Sequence, residues 1–409
     1  MKKLLALLLA AAMAFSMVAC GPSGSEETPG GTSNPPSSTE SDPGTNQDAE
    51  HLGTIMWLSN LTSGLQYETY KAYMEAICEA MGYDLTVVFG DMANDAANNL
   101  NAVKNGMTED VVGLVASQDG GLLAIMEEYP DLYVCGFATD MRSVYGGGEN
   151  AACLENDHFL GTICDGYGDG TKLGQDNANY VIEQGFERVA LIEFPAYAYP
   201  TLSEAEAAFR SAIEEYNATA ETPVEIVGDT LTLEFQPLSE SYFLEEGHDD
   251  LDAIIAFCAG ILFVYPTMSS AIANGTCSPD TKLVTGGFDN DPDIVANIGD
   301  DRTISFVQFS PAEDPAYAMV LLDNAITGNQ FPDFENIRVD GAPYTIDSTE
   351  DIENVMTKSM AGTGDISLTQ LSVEEVLDLA VRFNPDATQE GLIAKLHSEQ
   401  LSVDALKDR

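Results

Sequence analysis

The chain has 409 residues, of which 67 are acidic and 16 are basic, so its formal net charge at pH 7 is -51. This charge excludes nucleic acid and anionic lipid headgroups as partners, because the few scattered Lys and Arg residues cannot form the basic patch that both require. The apolar content of 44% is typical of a globular body.

The first twenty residues predict that the protein is exported. Lys2 and Lys3 precede an apolar run over residues 4–19, and the small Ala19 comes directly before Cys20. A positively charged N-terminal segment, a short apolar core and small residues at the cleavage site are typical of a secretory signal peptide. The alternative, a transmembrane anchor, is disfavoured because the run is shorter than the roughly 20 residues that a spanning helix needs.

A tether and a folded body follow. Residues 21–50 are mostly Gly, Pro, Ser, Thr, Asn, Asp and Glu, which predicts a solvated and flexible segment. Residues 51–409 are long enough for two domains with sizeable cores.

The first half of the body alternates strands and helices. The pattern predicts strands over residues 53–58, 85–89, 111–115 and 132–137, with helices around 70–81, 96–104 and 122–128. The first helix has Tyr70, Met74, Ile77, Cys78 and Met81 on one face, which is amphipathic spacing. Helices between successive strands predict a parallel sheet, because parallel neighbours need crossover connections.

The alternation starts again after a Gly-rich stretch, residues 146–170, where we expect the chain to cross to a second lobe. Here the pattern predicts helices over 173–184, 203–216 and 261–273 and near Tyr242, with strands over 188–192, 224–227, 253–257 and 282–285. Ser203 and Glu206 have capping-box spacing. A second doubly wound unit is therefore expected.

The last sixty or so residues, 348–409, predict further helices. These lie around residues 352–358, 373–383 and 389–397, and Ser372 and Glu375 have the spacing of a capping box. The tail either covers one lobe as an added layer, which we favour, or forms a partner-binding appendage. The fold class is thus α/β: two doubly wound, Rossmann-like lobes joined by a multi-strand hinge, with a helical C-terminal extension.

Cysteine and histidine spacings predict no metal site. The body contains no CxxC pair and no HExxH motif. Cys153 and Cys164 are candidates for a disulfide outside the cell, and the sequence leaves this pairing open. No sequence motif indicates a catalytic nucleophile together with its general base, so neither catalysis nor a cofactor is expected.

Polar residues follow each of the first four predicted strands. They are Ser59-Asn60, Gly90-Asp91, residues 117–119 and Thr139-Asp140. Strand ends run into polar turns for structural reasons as well, but four such turns on one edge favour a ligand cleft, because open α/β sheets bind ligands at the carboxyl ends of their strands.

Several stretches resemble the ribose-binding-protein-like (type 1) periplasmic binding proteins. Residues 180–192 are similar to that family's helix-to-strand passage, and Gly287-Phe288-Asp289 and Val307-Gln308 resemble its Gly-x-Asp and Val-x-Gln positions. Gln66 and Tyr67 fall where its sugar binders usually carry paired aromatics, of which Tyr67 alone is aromatic. The resemblance spans about residues 53–342. Residues 17–20 resemble a bacterial lipobox with Met17 in place of the usual Leu, which implies that Cys20 is acylated.

The chain also departs from the family pattern. Ala205 stands where an arginine commonly precedes the Gly-Phe pair, and Cys258-Ala259-Gly260 replaces an Asn-Asp. Two polar anchors for a sugar are therefore absent from the second lobe, so a flatter or less hydroxylated molecule, such as a nucleoside, competes with a pentose or hexose as the expected ligand.

The resemblance implies an exported, monomeric solute-binding lipoprotein, anchored through Cys20 on the outer face of the cell membrane, that captures a small polar ligand and delivers it to an ABC permease. The alternatives are a ligand-sensing lobe for a signalling partner and a surface-anchored hydrolase. The expected ligand-binding residues are Asn60, Gln66, Tyr67, Asp91, Gln118, Thr139, Asp140, Phe194, Asp289 and Gln308.

The element order and the resemblance together divide the chain into five parts. These are a lipoprotein signal peptide at 1–20, a tether at 21–50, an N-terminal lobe at 51–168 with 309–335, a C-terminal lobe at 169–308 with 336–347, and the extension at 348–409.

Overall fold

The computed structural model describes residues 51–165, 170–287, 289 and 291–409. The predicted signal peptide, Cys20 and the predicted tether lie outside the described residues. So do Phe288 and the predicted boundary between residues 168 and 169.

The N-terminal lobe is built on a parallel sheet that has six strands in the described part of the chain. These strands are β1 (Gly53–Ser59), β2 (Tyr83–Phe89), β3 (Val111–Ala116), β4 (Tyr133–Phe137), β5 (Phe159–Ile163) and β12 (Arg338–Val339). Their spatial order is β12-β5-β4-β3-β1-β2, and neighbouring strands are parallel. The predicted parallel sheet is confirmed.

Helices connect these strands, and the first three of them match the predicted helices. They are α1 (Leu65–Met81), α2 (Ala96–Gly106), α3 (Leu122–Glu128) and the short α4 (Arg142–Tyr145), followed by a 3₁₀ turn at Ala151–Glu155. The predicted face of α1 is buried against the sheet. Trp57 on β1 is fully buried, and its indole Nε1 donates to Ser117 Oγ at 2.9 Å, so the one tryptophan belongs to the core.

The C-terminal lobe has a second sheet, with seven strands in the described residues, six on its main path and one beside it. The strands of this lobe are β6 (Arg188–Glu193), β7 (Glu225–Ile226), β8 (Leu231–Thr232), β9 (Ala253–Ala256), β10 (Lys282–Gly286), β11 (Ile304–Phe309) and β13 (Tyr344–Ile346). Their order is β13-β11-β10-β9-β6-β7, with β8 beside β6. Only β13 runs antiparallel to its neighbour among the described strands of this sheet.

Helices pack on this sheet as well. They are α5 (Gly170–Gln184), α6 (Pro200–Asn217), α7 (Gly260–Phe263), α8 (Tyr265–Asn274) and α9 (Pro292–Val295), with a 3₁₀ turn at Glu240–Leu244.

The predicted capping box at Ser203 and Glu206 is wrong. Pro200 starts α6 one turn earlier, so Ser203 lies inside the helix and donates to Glu193 instead.

The chain passes between the lobes at several points. It leaves the first sheet after β5, returns after β11 through the buried helix α10 (Pro315–Ile326), and leaves again between β12 and β13. These passages form the multi-strand hinge. We predicted that residues 336–347 lie in the C-terminal lobe, but Arg338–Val339 pair with β5 in the first sheet, so this passage falls later. The remaining lobe boundaries stay predictions.

β5 lies within the Gly-rich stretch that we expected to form the first passage. Our sequence analysis did not predict this strand. It contains Gly161, and glycine is disfavoured in strand interiors. Gly161 adopts a φ of +111°, and a Cβ there would lie 2.6 Å from the carbonyl oxygen of Ile337. Glycine therefore allows the segment that leads into β12 to approach β5 closely.

The C-terminal extension is an added layer on the N-terminal lobe. Its helices are α11 (Thr349–Lys358), α12 (Met360–Thr363), α13 (Val373–Asp378), α14 (Gln389–Leu396) and α15 (Val403–Leu406), with a 3₁₀ turn at Ile366–Leu368. The capping box predicted at Ser372 and Glu375 is confirmed. Tyr73 on α1 donates to the carbonyl oxygen of Leu371 at 2.7 Å, and Thr349 donates to Asp300 of the other lobe.

One ion pair joins this layer to the core. Arg382 donates to Asp323 Oδ1 at 2.6 Å and to the carbonyl oxygen of Met81 at 2.7 Å, and the Asp323 side chain is fully buried. Burial raises the pKa of Asp323, although Arg382 acts in the opposite direction.

Two buried acids stand at the hinge, directly before α10. Glu313 and Asp314 are 1% and 2% exposed, and Glu313 Oε1 accepts a hydrogen bond from the Gln370 N–H at 2.7 Å. Burial raises the pKa of Glu313 to about 7. Burial and the neighbouring charge of Glu313 raise the pKa of Asp314 well above its ordinary value. The hinge therefore holds carboxyl groups that resist ionisation.

All six cysteines of residues 51–409 are buried free thiols, so Cys153 and Cys164 do not form a disulfide. In the described part of the chain, no helix combines the length and the apolar character that crossing a membrane requires.

We predict that Arg382→Ala lowers the free energy of unfolding by about 3 kcal/mol, because it leaves the buried Asp323 carboxylate without its cation. Lys104→Ala is the control, since its ion pair with Glu128 is exposed and should contribute less than about 1 kcal/mol. Urea unfolding measures both values. Equal losses in the two variants would contradict the role of this pair.

We predict that Glu313→Gln gains stability relative to the unsubstituted protein as the pH rises from about 4.5 to about 7. Over this range the unfolded chain releases the Glu313 proton at its ordinary pKa, whereas the folded protein retains it, so the unsubstituted protein loses stability. The relative gain should be on the order of 3 kcal/mol. Glu374→Gln, at an exposed position, is the control. Parallel stability curves for Glu313→Gln and the unsubstituted protein would refute this assignment.

Candidate functional site

A cleft of about 580 Å³ lies between the carboxyl ends of the two sheets. Residues that follow β1, β3 and β4 line one wall, and residues that follow β6, β9 and β10 line the other. The cleft therefore lies where the sequence predicts a ligand site, because both sheets present their strand ends to it.

The wall from the N-terminal lobe is polar. Asp119 organises it: Oδ2 accepts hydrogen bonds from the backbone N–H and the hydroxyl of Ser143, and Oδ1 accepts one from Asn94 Nδ2 at 2.7 Å. Gln118 Nε2 donates to the carbonyl oxygen of Asp91. Among the described residues, buried Gln118 Oε1 has no hydrogen-bond donor.

The wall from the C-terminal lobe is aromatic. Phe194 lies 5.0 Å from Phe263, 5.1 Å from Phe235 and 5.7 Å from Tyr199 between ring centroids. Phe194, Tyr197 and Tyr199 line the cleft, and Tyr197 is 69% exposed. Ring faces of this kind pack against the apolar faces of flat or ring-shaped molecules.

Hydrogen bonds join the two lobes across the cleft. Thr201 Oγ1 donates to Asp140 Oδ2 at 2.7 Å, and Arg142 Nη2 donates to Glu204 Oε2 at 2.7 Å. Arg142 Nε also donates to Asp140 Oδ2 at 3.2 Å. The hydrogen bond from Arg142 lowers the pKa of Glu204. Asp140 and Arg142 belong to one lobe and Thr201 and Glu204 to the other, so this network depends on how the lobes are arranged.

Six of the ten predicted ligand-binding residues line the cleft, namely Asn60, Gln66, Gln118, Thr139, Asp140 and Phe194. Their contact with a ligand stays a prediction. The structure also brings in residues that our sequence analysis did not select, of which Tyr70, Asp119, Tyr197, Tyr199 and Thr201 stand out. Tyr197 and Tyr199 lie in the segment between the end of β6 and the start of α6, and that position is the signal that could have identified them.

The other four predicted residues are not part of the cleft lining. Tyr67 is 8% exposed and stacks on Trp57 at 5.5 Å, while Tyr70, one turn further along α1, lines the cleft and accepts a hydrogen bond from Gln66. The Asp91 carboxylate accepts from the Ala93 N–H at 2.7 Å and from Asn98 Nδ2.

Asp289 and Gln308 are likewise engaged within the C-terminal lobe. Asp289 Oδ1 accepts from the Asp291 N–H at 2.8 Å, which is a local turn contact. Gln308 is 4% exposed within β11, and its Nε2 lies 3.4 Å from Thr345 Oγ1 on β13. These side chains stabilise backbone turns and the hinge strands in this arrangement.

Two titratable groups lie at or beside the second wall, namely Cys258 in the cleft lining and Glu193 at the end of β6. Burial raises the pKa of Cys258 to about 12, which keeps it a thiol at neutral pH. Burial also raises the pKa of Glu193, which accepts a hydrogen bond from Ser203. Within the described residues, no cluster of three or more His, Cys, Asp or Glu side chains could hold a metal ion.

No protein-family model and no curated protein matches this sequence. Solved structures do match. The solute-binding protein of a carbohydrate transporter from Agrobacterium radiobacter, in complex with D-arabinose, is 14% identical with a TM-score of 0.53, and the match covers 73% of this chain and 95% of that chain.

Two further structures give the same result. The periplasmic binding component of the arabinose ABC transporter from Shewanella sp. ANA-3, bound to α- and β-L-arabinofuranose, is 18% identical with a TM-score of 0.53, covering 73% of this chain and 93% of that chain. A sugar-binding protein of a sugar ABC transporter from Bacillus halodurans is 14% identical with a TM-score of 0.54, covering 73% and 98%. The chain has the two-lobe α/β fold of the type 1 periplasmic binding proteins, which confirms the fold that the resemblance implies.

Proposed function

We propose that this protein is an exported solute-binding lipoprotein that captures a sugar, a nucleoside or a similar small polar ligand and delivers it to an ABC permease. The observation that carries the proposal is the cleft of about 580 Å³, with one polar and one aromatic wall, between two hinged lobes. Its volume suits a small molecule. The structures with the same fold that are named above include proteins bound to arabinose, which supports a ring-shaped ligand.

In this mechanism the two walls recognise different parts of the ligand. Gln118, Thr139 and Asp140 offer hydrogen bonds to hydroxyl or amide groups, and Phe194 and Tyr199 cover an apolar ring face. Because the walls belong to different lobes, a ligand that contacts both favours the closed arrangement. Hinge closure then gives the permease a shape by which it distinguishes the loaded protein from the empty one.

Export and anchoring rest on the sequence of the first fifty residues. The signal peptide and lipobox-like residues 17–20 support acylation of Cys20, and the polar composition of residues 21–50 supports a tether to the outer face of the membrane. A monomer that moves on such a tether reaches its permease without a further partner. No cofactor takes part in capture.

A thermal-shift screen of pentoses, hexoses, nucleosides and amino acids tests the proposal. A cognate ligand at about a hundred times its dissociation constant should stabilise the folded protein by about 2.7 kcal/mol, because it binds only the folded state. We expect a sugar or a nucleoside to be among the compounds that stabilise it. Stabilisation by none of them, or turnover of the compound that binds, would contradict solute capture.

We predict that Asp140→Ala weakens binding of that compound at least tenfold, which is about 1.4 kcal/mol, without unfolding the protein. Asp140 lines the cleft and accepts a hydrogen bond from Thr201 of the opposite lobe. Asp176→Ala is the control, because Asp176 pairs with Lys172 on the surface of α5. Isothermal titration calorimetry measures both variants, and unchanged affinity in Asp140→Ala would mean that the ligand binds elsewhere.

We predict that Cys20→Ala releases the protein from the membrane into the medium, because the variant lacks the acylated thiol. Cell fractionation followed by immunoblotting measures the distribution. Cys78→Ala is the control, since Cys78 is a buried thiol of α1 and its loss should leave the protein at the membrane. Continued membrane association of Cys20→Ala would instead indicate a retained transmembrane signal.

A further inference from the structure

The strongest unassigned feature is the four-residue network at the rim of the cleft, formed by Asp140 and Arg142 of the N-terminal lobe and Thr201 and Glu204 of the C-terminal lobe. We name it the rim network. Arg142 presents both terminal nitrogens to the two carboxylate oxygens of Glu204, which is the two-pronged geometry that suits a guanidinium and a carboxylate.

Two residues beside the rim network have unusual backbone conformations. Ala138 and Met141 adopt φ values of +55° and +46°, which non-glycine residues rarely adopt. They bracket Thr139 and Asp140, and Met141 precedes the first residue of α4, Arg142. Strain of this kind persists where the surrounding structure holds it, and it concentrates at functional sites.

Asp140 connects the rim network to the cleft. Its Oδ2 accepts hydrogen bonds from Arg142 Nε and from Thr201 Oγ1, while Asp140 itself lines the cavity. The Arg142 backbone N–H also donates to Asp140 Oδ1 at 3.1 Å. The carboxylate that faces the ligand site is thus oriented by the groups that join the lobes.

We propose that Arg142 is a positioning residue that holds the two lobes together before ligand binds, through its bidentate contact with Glu204, and so biases the empty protein towards the closed arrangement. The proposal rests on the proposed function, because capture requires closure, but it concerns the ligand-free protein. A pre-existing closed population reduces the conformational change that the ligand must drive.

Distances between the lobes in the absence of ligand test the proposal. Spin labels are attached at Glu127→Cys in the N-terminal lobe and at Glu183→Cys in the C-terminal lobe of the whole Cys20→Ala chain, both at exposed positions. The cysteines native to the body are buried, so the introduced thiols are the reactive ones. Pulsed electron spin resonance then gives the distribution of distances between the labels.

The labelled protein with Glu204 intact should show a short-distance population. Glu204→Ala should lower the ratio of short to long distances about fivefold, and Glu204→Asp should restore part of it, because the carboxylate remains. Glu215→Ala, at an exposed position on the same helix, is the matched control. The change should shrink in 1 M salt, because the pair is partly exposed.

The readout separates positioning from a purely structural role. A positioning role changes the distance distribution while the urea midpoint of Glu204→Ala stays close to that of Glu215→Ala. Identical distributions in Glu204→Ala and Glu215→Ala, or a distribution without a short-distance population when Glu204 is intact, would overturn the proposal. The distance measurement uses no ligand, so its failure would not contradict the proposal of ligand capture. A failed ligand screen, in turn, would not contradict the role of the rim network in the empty protein.

Discussion

The parallel direction of the strands is the constraint on which the site depends. Parallel strands leave their sheet at the same edge, so every connection that follows a carboxyl end enters the same space. In this protein two such edges face each other, and the segments after β3, β4 and β6 supply the polar and aromatic walls of one cleft. The chain's passages between the lobes then decide how far these walls can separate.

The hinge buries two carboxyl groups, Glu313 and Asp314, and burial raises the pKa of both. Glu313 accepts a hydrogen bond from the backbone N–H of Gln370 in the extension, and Tyr344 on β13 donates to the side-chain Oε1 of Gln370. The extension therefore packs on the N-terminal lobe and also contacts strands that lead from one lobe to the other. In a chain with a net charge of -51, raised pKa values at Glu313 and Asp314 reduce the negative charge of the hinge and so limit repulsion where the lobes meet.

Sequence patterns predicted the fold more fully than the site, for physical reasons. The succession of short apolar runs and segments of helical period identifies β1 to β4 and their helices, because a sheet covered by helices buries its strands along nearly their whole length. The sequence did not predict β5, because Gly161 is disfavoured in a strand. It predicted the start of α6 too late, because the helix begins at Pro200. Outside the cleft lining, the carboxylate of Asp91 accepts a hydrogen bond within a local turn, and Tyr67 stacks on Trp57. Sequence alone does not distinguish such contacts from ligand contacts, because the same side chains serve both.

Hydrogen–deuterium exchange of the protein with and without its saturating ligand tests the central claim most directly, since amides at a buried interface exchange slowly. The account predicts increased protection in residues 117–120 of the N-terminal lobe and in residues 194–202 of the C-terminal lobe, the segments that line the two walls. Protection confined to one lobe, or located away from these segments, would contradict capture between the lobes.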